Sequence, residues 1–272
     1  MRLCVLLLCL HCAVLAAAPR VVTSIPPVYE ITAAIMTGVA EPGLIIDDEA
    51  SAHHFAFKPS HMRLLQQADL VIWIDRHFEA GFSRVPEILP STTQQLELMP
   101  ALGLEGGDGH IWYSPQLLLR SIGIMLAKLI LLDPEHQKLY QTNAVMLMQG
   151  IALWRDETQQ RWQDRQPRFI TDHNFTGYFE QDIGITAIAT VHDQHHDHGG
   201  LKDLERLDNL LRDSPAACLL TLQTTASPLA RSLAQKHGLK IISIALEPIS
   251  DPAQPLILQR LTQLTTALQR CN

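Results

Sequence analysis

From Asp133 to Gln163 the chain runs for some thirty residues with one glycine, Gly150, and no proline after Pro134. Asp-Pro is a good helix start. One helix of that length would span about 45 Å at ~1.5 Å per residue. A break near Gly150 would instead give two ordinary helices. The continuous helix is the expectation, and it would act as a stiff strut between the segments it joins.

On both sides of the strut, short β-rich runs alternate with helical patterns. Before it, strands are predicted at Arg20–Ser24, Leu44–Ile46, Asp69–Ile74 and Gln95–Met99, with helices at Val28–Met36, Pro59–Ala68 and Pro115–Leu132. After it come strands at Arg168–Thr171, Ile185–Val191, Ala216–Leu222 and Leu239–Leu246. The helices there are Thr176–Gln181, Leu201–Arg212, Pro228–His237 and a last one from Pro255 to about Arg270. The strands are nearly continuous apolar runs, as in parallel sheets covered on both faces. The fold class is therefore α/β: two lobes, each a mostly parallel sheet covered by helices, joined by one long rigid helix. The expected divisions are a leader at 1–18, a first lobe at 19–132, the linker helix at 133–164 and a second lobe at 165–272. No internal sequence repeat is visible.

Met1–Ala18 has a basic Arg2, an apolar run and a small-residue end, Ala16-Ala17-Ala18. This is the pattern of a cleaved secretory signal peptide, too short to span a bilayer comfortably. No later segment has some 18 uninterrupted apolar residues, so a soluble exported protein is expected. Losing the leader removes Arg2 and takes the formal charge from −7 to −8. With no basic run, a sequence-independent nucleic-acid binder is disfavoured. Of five cysteines, Cys4, Cys9 and Cys12 leave with the leader, and Cys218 and Cys271 remain. Two cysteines in an oxidising compartment suggest one disulfide.

Ligands of open α/β sheets bind beyond the carboxyl ends of the strands. Four residues there can coordinate: His53 after the second strand run, His110 before a helix, His173 directly after Arg168–Asp172, and Glu247 near the end of the last strand. Three imidazoles and a carboxylate make a sensible tetrahedral Zn2+ set. Their spacing is no local motif, and any one of these histidines could equally be structural. A second cluster, His192, His195, His196 and His198 with Asp193 and Asp197, has the composition of a loose metal-binding tract or a solvated loop. Gly106–Gly109 reads as a mobile loop. No G-x-G-x-x-G, G-x-x-x-x-G-K-[ST], H-E-x-x-H, G-x-S-x-G or C-x-x-C motif is present.

The motifs in order are Val22–Pro26 (VTSIP), Ser51–Ser60 (SAHHFAFKPS), Ala68–Phe82 (ADLVIWIDRHFEAGF), His110–Pro115 (HIWYSP), Asp133–Asn143 (DPEHQKLYQTN), His173–Glu180 (HNFTGYFE) and Leu246-Glu247-Pro248. Together they resemble the cluster A-I metal-binding solute-binding proteins of ABC importers, in particular the zinc-specific, ZnuA-like branch. The resemblance covers essentially all of the chain beyond the leader. It implies two lobes joined by a long helix and a Zn2+ site of His53, His110, His173 and Glu247. It further implies a Cys218–Cys271 pairing. Manganese members carry Glu at the third position, so His173 favours zinc. Three departures stand out. No His-rich loop precedes His110, Glu247 replaces the usual Asp, and Asp75 occupies a position that is often Gly or neutral.

The function these readings imply is periplasmic Zn2+ binding and delivery to an ABC transporter permease. The chain would be a monomer without enzymatic activity, since four protein ligands leave no open position for an activated water. The tract at His192–His198 would be an auxiliary, weaker metal site. The alternatives are a zinc chaperone or store without a permease, a zinc-dependent hydrolase, and manganese or iron import.

Overall fold

A computed structural model describes residues 17–47, 55, 57–192, 201–244, 251 and 254–271. Most of the expected leader, residues 1–16, lies outside them. In chain order the elements are β1 (Val21–Thr23), α1 (Pro26–Met36), β2 (Gly43–Leu44), α2 (Pro59–Gln67), β3 (Leu70–Trp73), α3 (Val85–Ile88), β4 (Gln94–Glu97), α4 (Leu98–Ala101), α5 (Pro115–Leu132) and α6 (Gln137–Trp162). The second series is β5 (Phe169–His173), α7 (Gly177–Ile183), β6 (Ala189–His192), α8 (Leu201–Asp213), β7 (Cys218–Thr221), α9 (Pro228–His237), β8 (Lys240–Ser243) and α10 (Leu256–Gln269).

The strands form two four-stranded sheets, in orders β2-β1-β3-β4 and β6-β5-β7-β8. Every pairing is parallel. The two halves therefore share one topology although their sequences show no repeat. In each, the first strand lies between the second and the third, so the order reverses beside it, which opens a crevice at the carboxyl ends. The sequence periods locate the elements well and their ends less well. The Gln95–Met99 run is a strand only to Glu97, after which Leu98–Ala101 turns into a short helix. The first strand of the second lobe extends past Thr171 to His173, so this histidine is the strand's last residue.

The linker is one unbroken 26-residue helix, α6, preceded by a short 3-10 turn at Pro134–His136. Gly150 does not break it. A Cβ there would come within 2.9 Å of Leu258 Cδ1, so the glycine makes room for α10. Helix α10 thus returns to the first lobe, where it also packs against α1. Arg260 donates to the Glu30 carboxylate at 2.9 and 2.5 Å, with both side chains almost wholly buried. Burying two charges costs several kcal/mol of solvation, which the bidentate geometry offsets. At the other end of α10, Cys271 forms a disulfide with Cys218 of β7, with the Cα atoms 5.2 Å apart. One helix is therefore fastened to both lobes.

Helix α5 is long and apolar enough by composition to cross a membrane. In the fold, one face is buried through Leu118, Ile122, Met125 and Leu129, and it packs along α6. Arg120, midway along it, donates to the Leu102 carbonyl.

Candidate metal centre

The site is built where the two lobes meet. His110 precedes the 3-10 turn Ile111–Tyr113, and Ser114 then caps α5 by accepting from Leu117 N at 3.0 Å. Pro115 at the first helical position suits its fixed φ. His173 ends β5 of the other lobe. The ring centres of His110 and His173 are 5.3 Å apart. A zinc ion ~2.0–2.1 Å from each ligating nitrogen lies about 3.2 Å from each ring centre. At the tetrahedral angle the two ring centres are then about 5.2 Å apart. The observed separation is of this size, as are the packing contacts of Phe78 with His110 and of Phe175 with His173.

His110 is 4% exposed, and its orientation is fixed. Asp108 Oδ1 accepts from its backbone N–H at 2.9 Å and lies 2.5 Å from its Nδ1. With the Nδ1 proton held by a carboxylate, Nε2 keeps its lone pair for a metal. Phe78 packs edge-on against the His110 ring at 5.2 Å and against Trp112 at 5.5 Å. Phe175, fully buried on the opposite lobe, lies 5.2 Å from His173 and 6.3 Å from His110.

In the glycine-rich segment before His110, Gly106 and Gly107 have open space around them, while Gly109 is packed. A Cβ at Gly109 would fall 2.3 Å from Phe78 Cδ2, so Phe78 lies directly against the backbone there. The departure at Asp75 has a similar explanation. Its Oδ1 accepts from the N–H groups of His77 and Phe78 at 2.8 and 2.7 Å, forming the turn that presents Phe78. One residue further, Glu79 is wholly buried, with Oε2 accepting from Ile74 N at 2.7 Å. Burial pushes its carboxyl up to about 8, against the pull of the Ser24 hydroxyl and the Ile74 N–H. Burial also raises the Tyr178 phenol, and the charges of Asp108 and Asp75 raise it further. Those two carboxylates make the neighbourhood of His110 electronegative, which favours a cation.

Of the four expected ligands the structure brings together two, His110 and His173. His53 and Glu247 lie outside the described residues, as do His195, His196 and His198. Among the described residues no three His, Cys, Asp or Glu side chains form a metal-holding group. Phe55, two residues after His53, stacks on His61 at 5.1 Å, and its carbonyl lies against Gly81. His192 is described, and it pairs in register with His173 on the neighbouring strand. Its Nε2 is 2.9 Å from Ser227 Oγ, which donates to Asp172 Oδ1 at 2.7 Å. This Ser-His-Asp grouping is no hydrolytic triad. The carboxylate takes the serine proton instead of orienting the imidazole, and Ser227 caps α9.

Motif reasoning passed over Asp108 and Glu79 as supporting residues, and marked Asp75 only as a departure without a role. The first had a visible signal, a carboxylate two residues before a candidate ligand. The other two lie inside an apolar stretch and are legible only once Phe78 is seen against His110.

The model of the family "Zinc-uptake complex component A periplasmic" (ZnuA) matches residues 21–271. A high-affinity zinc uptake system protein ZnuA from Haemophilus ducreyi is 24% identical, the match covering 88% of this chain and 89% of the relative. The fold resembles the laminin binding protein Lmb of Streptococcus agalactiae, described as having adhesin and metal transporting activity. The TM-score is 0.82 at 18% identity, covering 93% of this chain and 100% of that one. The Zn(II)-bound ZnuA-like domain of Streptococcus pneumoniae AdcA gives a TM-score of 0.71 at 19% identity, covering 93% and 98%. With residues 21–271 matched, two parallel-sheet lobes on a long helix, and paired imidazoles at the cleft, the chain belongs to the periplasmic ZnuA family of zinc-uptake components, a family of solute-binding transport proteins and not of enzymes.

Proposed function

We propose that this protein captures Zn2+ in the periplasm and hands it to an ABC import permease. His53 and His110 come from the first lobe, and His173 and Glu247 from the second. The observation that carries this reading is the 5.3 Å spacing of the His110 and His173 rings, each supplied by a different lobe. Three neutral imidazoles and one carboxylate suit zinc better than manganese, which prefers oxygen. With all four positions taken by protein, the ion is cargo and not a catalyst. In this reading the exported chain begins after the leader at 1–18 and acts as a monomer. The divisions at 19–132, 133–164 and 165–272 describe its lobes and strut, with α10 reaching back across them.

The tract from His192 to His198 would serve as a weaker auxiliary site. Two observations support its first member. His192 is the register partner of His173, and its Nε2 contacts Ser227, which places the ring at the same strand end as the cleft histidine. Isothermal titration of the apo protein tests the main site. His110→Ala and His173→Ala should each lower zinc affinity tenfold or more. Unchanged affinity in both would place the ion elsewhere.

A further inference from the structure

The two histidines belong to different lobes, so something has to fix the distance between them. A direct polar bridge crosses between the lobes beside the site. Asp182 of α7 accepts from Ser114 Oγ at 2.5 Å and from Gln116 N at 2.9 Å, the start of α5. Its backbone carbonyl also accepts from Gln159 Nε2 of α6 at 2.7 Å. Ser114 is 1% exposed. A carboxylate at a helix start gains from the helix dipole and from charge-assisted hydrogen bonds.

Both sides of this bridge are connected to a ligand through short, stiff stretches of chain. On the first-lobe side, Tyr113 N donates to His110 O at 3.2 Å and Ser114 N to Ile111 O at 3.1 Å, so His110 and Ser114 move as one turn. On the second-lobe side, α7 follows His173 after only Asn174, Phe175 and Thr176. Thr176 is itself tied to Glu180 of α7 at 2.5 Å. Buried Phe175 fills the gap, 5.8 Å from Tyr113 and 5.2 Å from His173. A slip of α7 against the start of α5 would therefore change the spacing of the two rings.

We propose that Asp182 is a positioning residue that fixes the His110–His173 span and thereby sets how long a bound divalent cation is retained. This rests on the zinc-centre reading above. Asp182 touches no metal and acts through Ser114 and Gln116. The second bridge between lobes, Arg260–Glu30, joins α10 to α1 and so supports the assembly without holding the cleft elements α5 and α7.

The test uses the mature chain loaded with Zn2+ and a chromophoric chelator in stopped flow. Asp182→Ala should release zinc about tenfold faster than wild type, the loss of roughly one strong hydrogen bond. Asp182→Asn keeps one acceptor oxygen and should fall between them, and it decides the matter if the alanine variant does not fold. Glu30→Gln should lower the apo melting temperature while zinc release stays at the wild-type rate. With Co2+ as probe, the visible ligand-field bands should change in Asp182→Ala and not in Glu30→Gln. A purely structural role for Asp182 would leave those bands unchanged. Wild-type release and wild-type cobalt spectra in both Asp182 variants, with tight binding lost in His173→Ala, would overturn the inference alone. Tight binding retained in His173→Ala would overturn the zinc-centre reading and this inference with it.

Discussion

The two lobes share a strand order but are held together differently. In the first, the site rests on a continuous core. Trp73, Phe82, Phe78, Trp112 and Tyr113 pack into one cluster that extends through α5, α6 and α10. In the second, one face of the sheet joins that cluster. The face under α8 and α9 has a separate, smaller core of Ile170, Val191, Leu207, Leu211, Leu219, Leu233 and a few small residues. Polar fasteners supplement it. Asp208 of α8 contacts Arg212, Lys236 and His237, so one nearly buried carboxylate ties α8 to α9. The disulfide adds a covalent tie. The first lobe thus presents His110 from a dry, aromatic setting. The second presents His173 from a partly exposed strand end whose surroundings depend on local ties.

That difference can be broken experimentally. The largest effect is expected in the second lobe. Replacing Cys218 and Cys271 with serine opens a link between residues 53 apart in sequence, which on the chain-entropy model is worth about 4 kcal/mol. Urea unfolding should show this loss, and hydrogen exchange should place it in β7 and α10. Equal loosening of β1 and β3 would show that the lobes do not differ in this way.

The first lobe should respond to pH instead. Glu79 keeps its proton in the folded state up to about 8, whereas an unfolded glutamate loses it near 4.5. Between those values the folded protein holds the extra proton, so stability falls as pH rises through the window. Glu79→Gln removes this dependence. Its stability, followed by thermal melting, should fall less than that of wild type between pH 5 and pH 8.5, by a few kcal/mol at most. Parallel curves for the two proteins would mean that Glu79 is ionised in the fold.

The smallest expected effect concerns the half-site itself. Asp108→Asn keeps the shape of the residue but weakens its hold on His110 Nδ1–H. Losing a carboxylate that orients a ligating imidazole costs about 10-fold to 100-fold in metal affinity. Titration should show that drop without any change in melting temperature of the apo protein. Full affinity would mean that Phe78 and Trp112 alone orient the imidazole.

Much of this was legible in the sequence. The apolar runs located the inner strands β1, β3, β5 and β7, which are buried almost throughout and need no polar alternation, whereas the edge strands β2, β4, β6 and β8 are only partly buried and their ends were read less well. The strut could be read because proline is absent after Pro134, although Gly150 left a break open until Leu258 was seen against it. The pairing of Cys218 with Cys271 agrees with the expectation from the two cysteines beyond residues 1–18. The return of α10 to the first lobe could not be read, since nothing local marks Arg260 as the partner of Glu30, 230 residues away. His173 was legible as the residue ending a strand run, and His110 as one just before a helix. Asp75, Asp108 and Asp182 were not, because each acts on backbone or ring atoms that only the folded chain brings near.

The most direct test of the central claim is a crystal of the mature protein with Zn2+, with anomalous scattering collected at the zinc edge. The expected result is one strong peak between His110 and His173, about 2.0–2.1 Å from an imidazole nitrogen of each, with His53 and Glu247 completing a dry tetrahedron. A principal peak held by the tract from His192 to His198, or an ion with water in place of either cleft histidine, would contradict it.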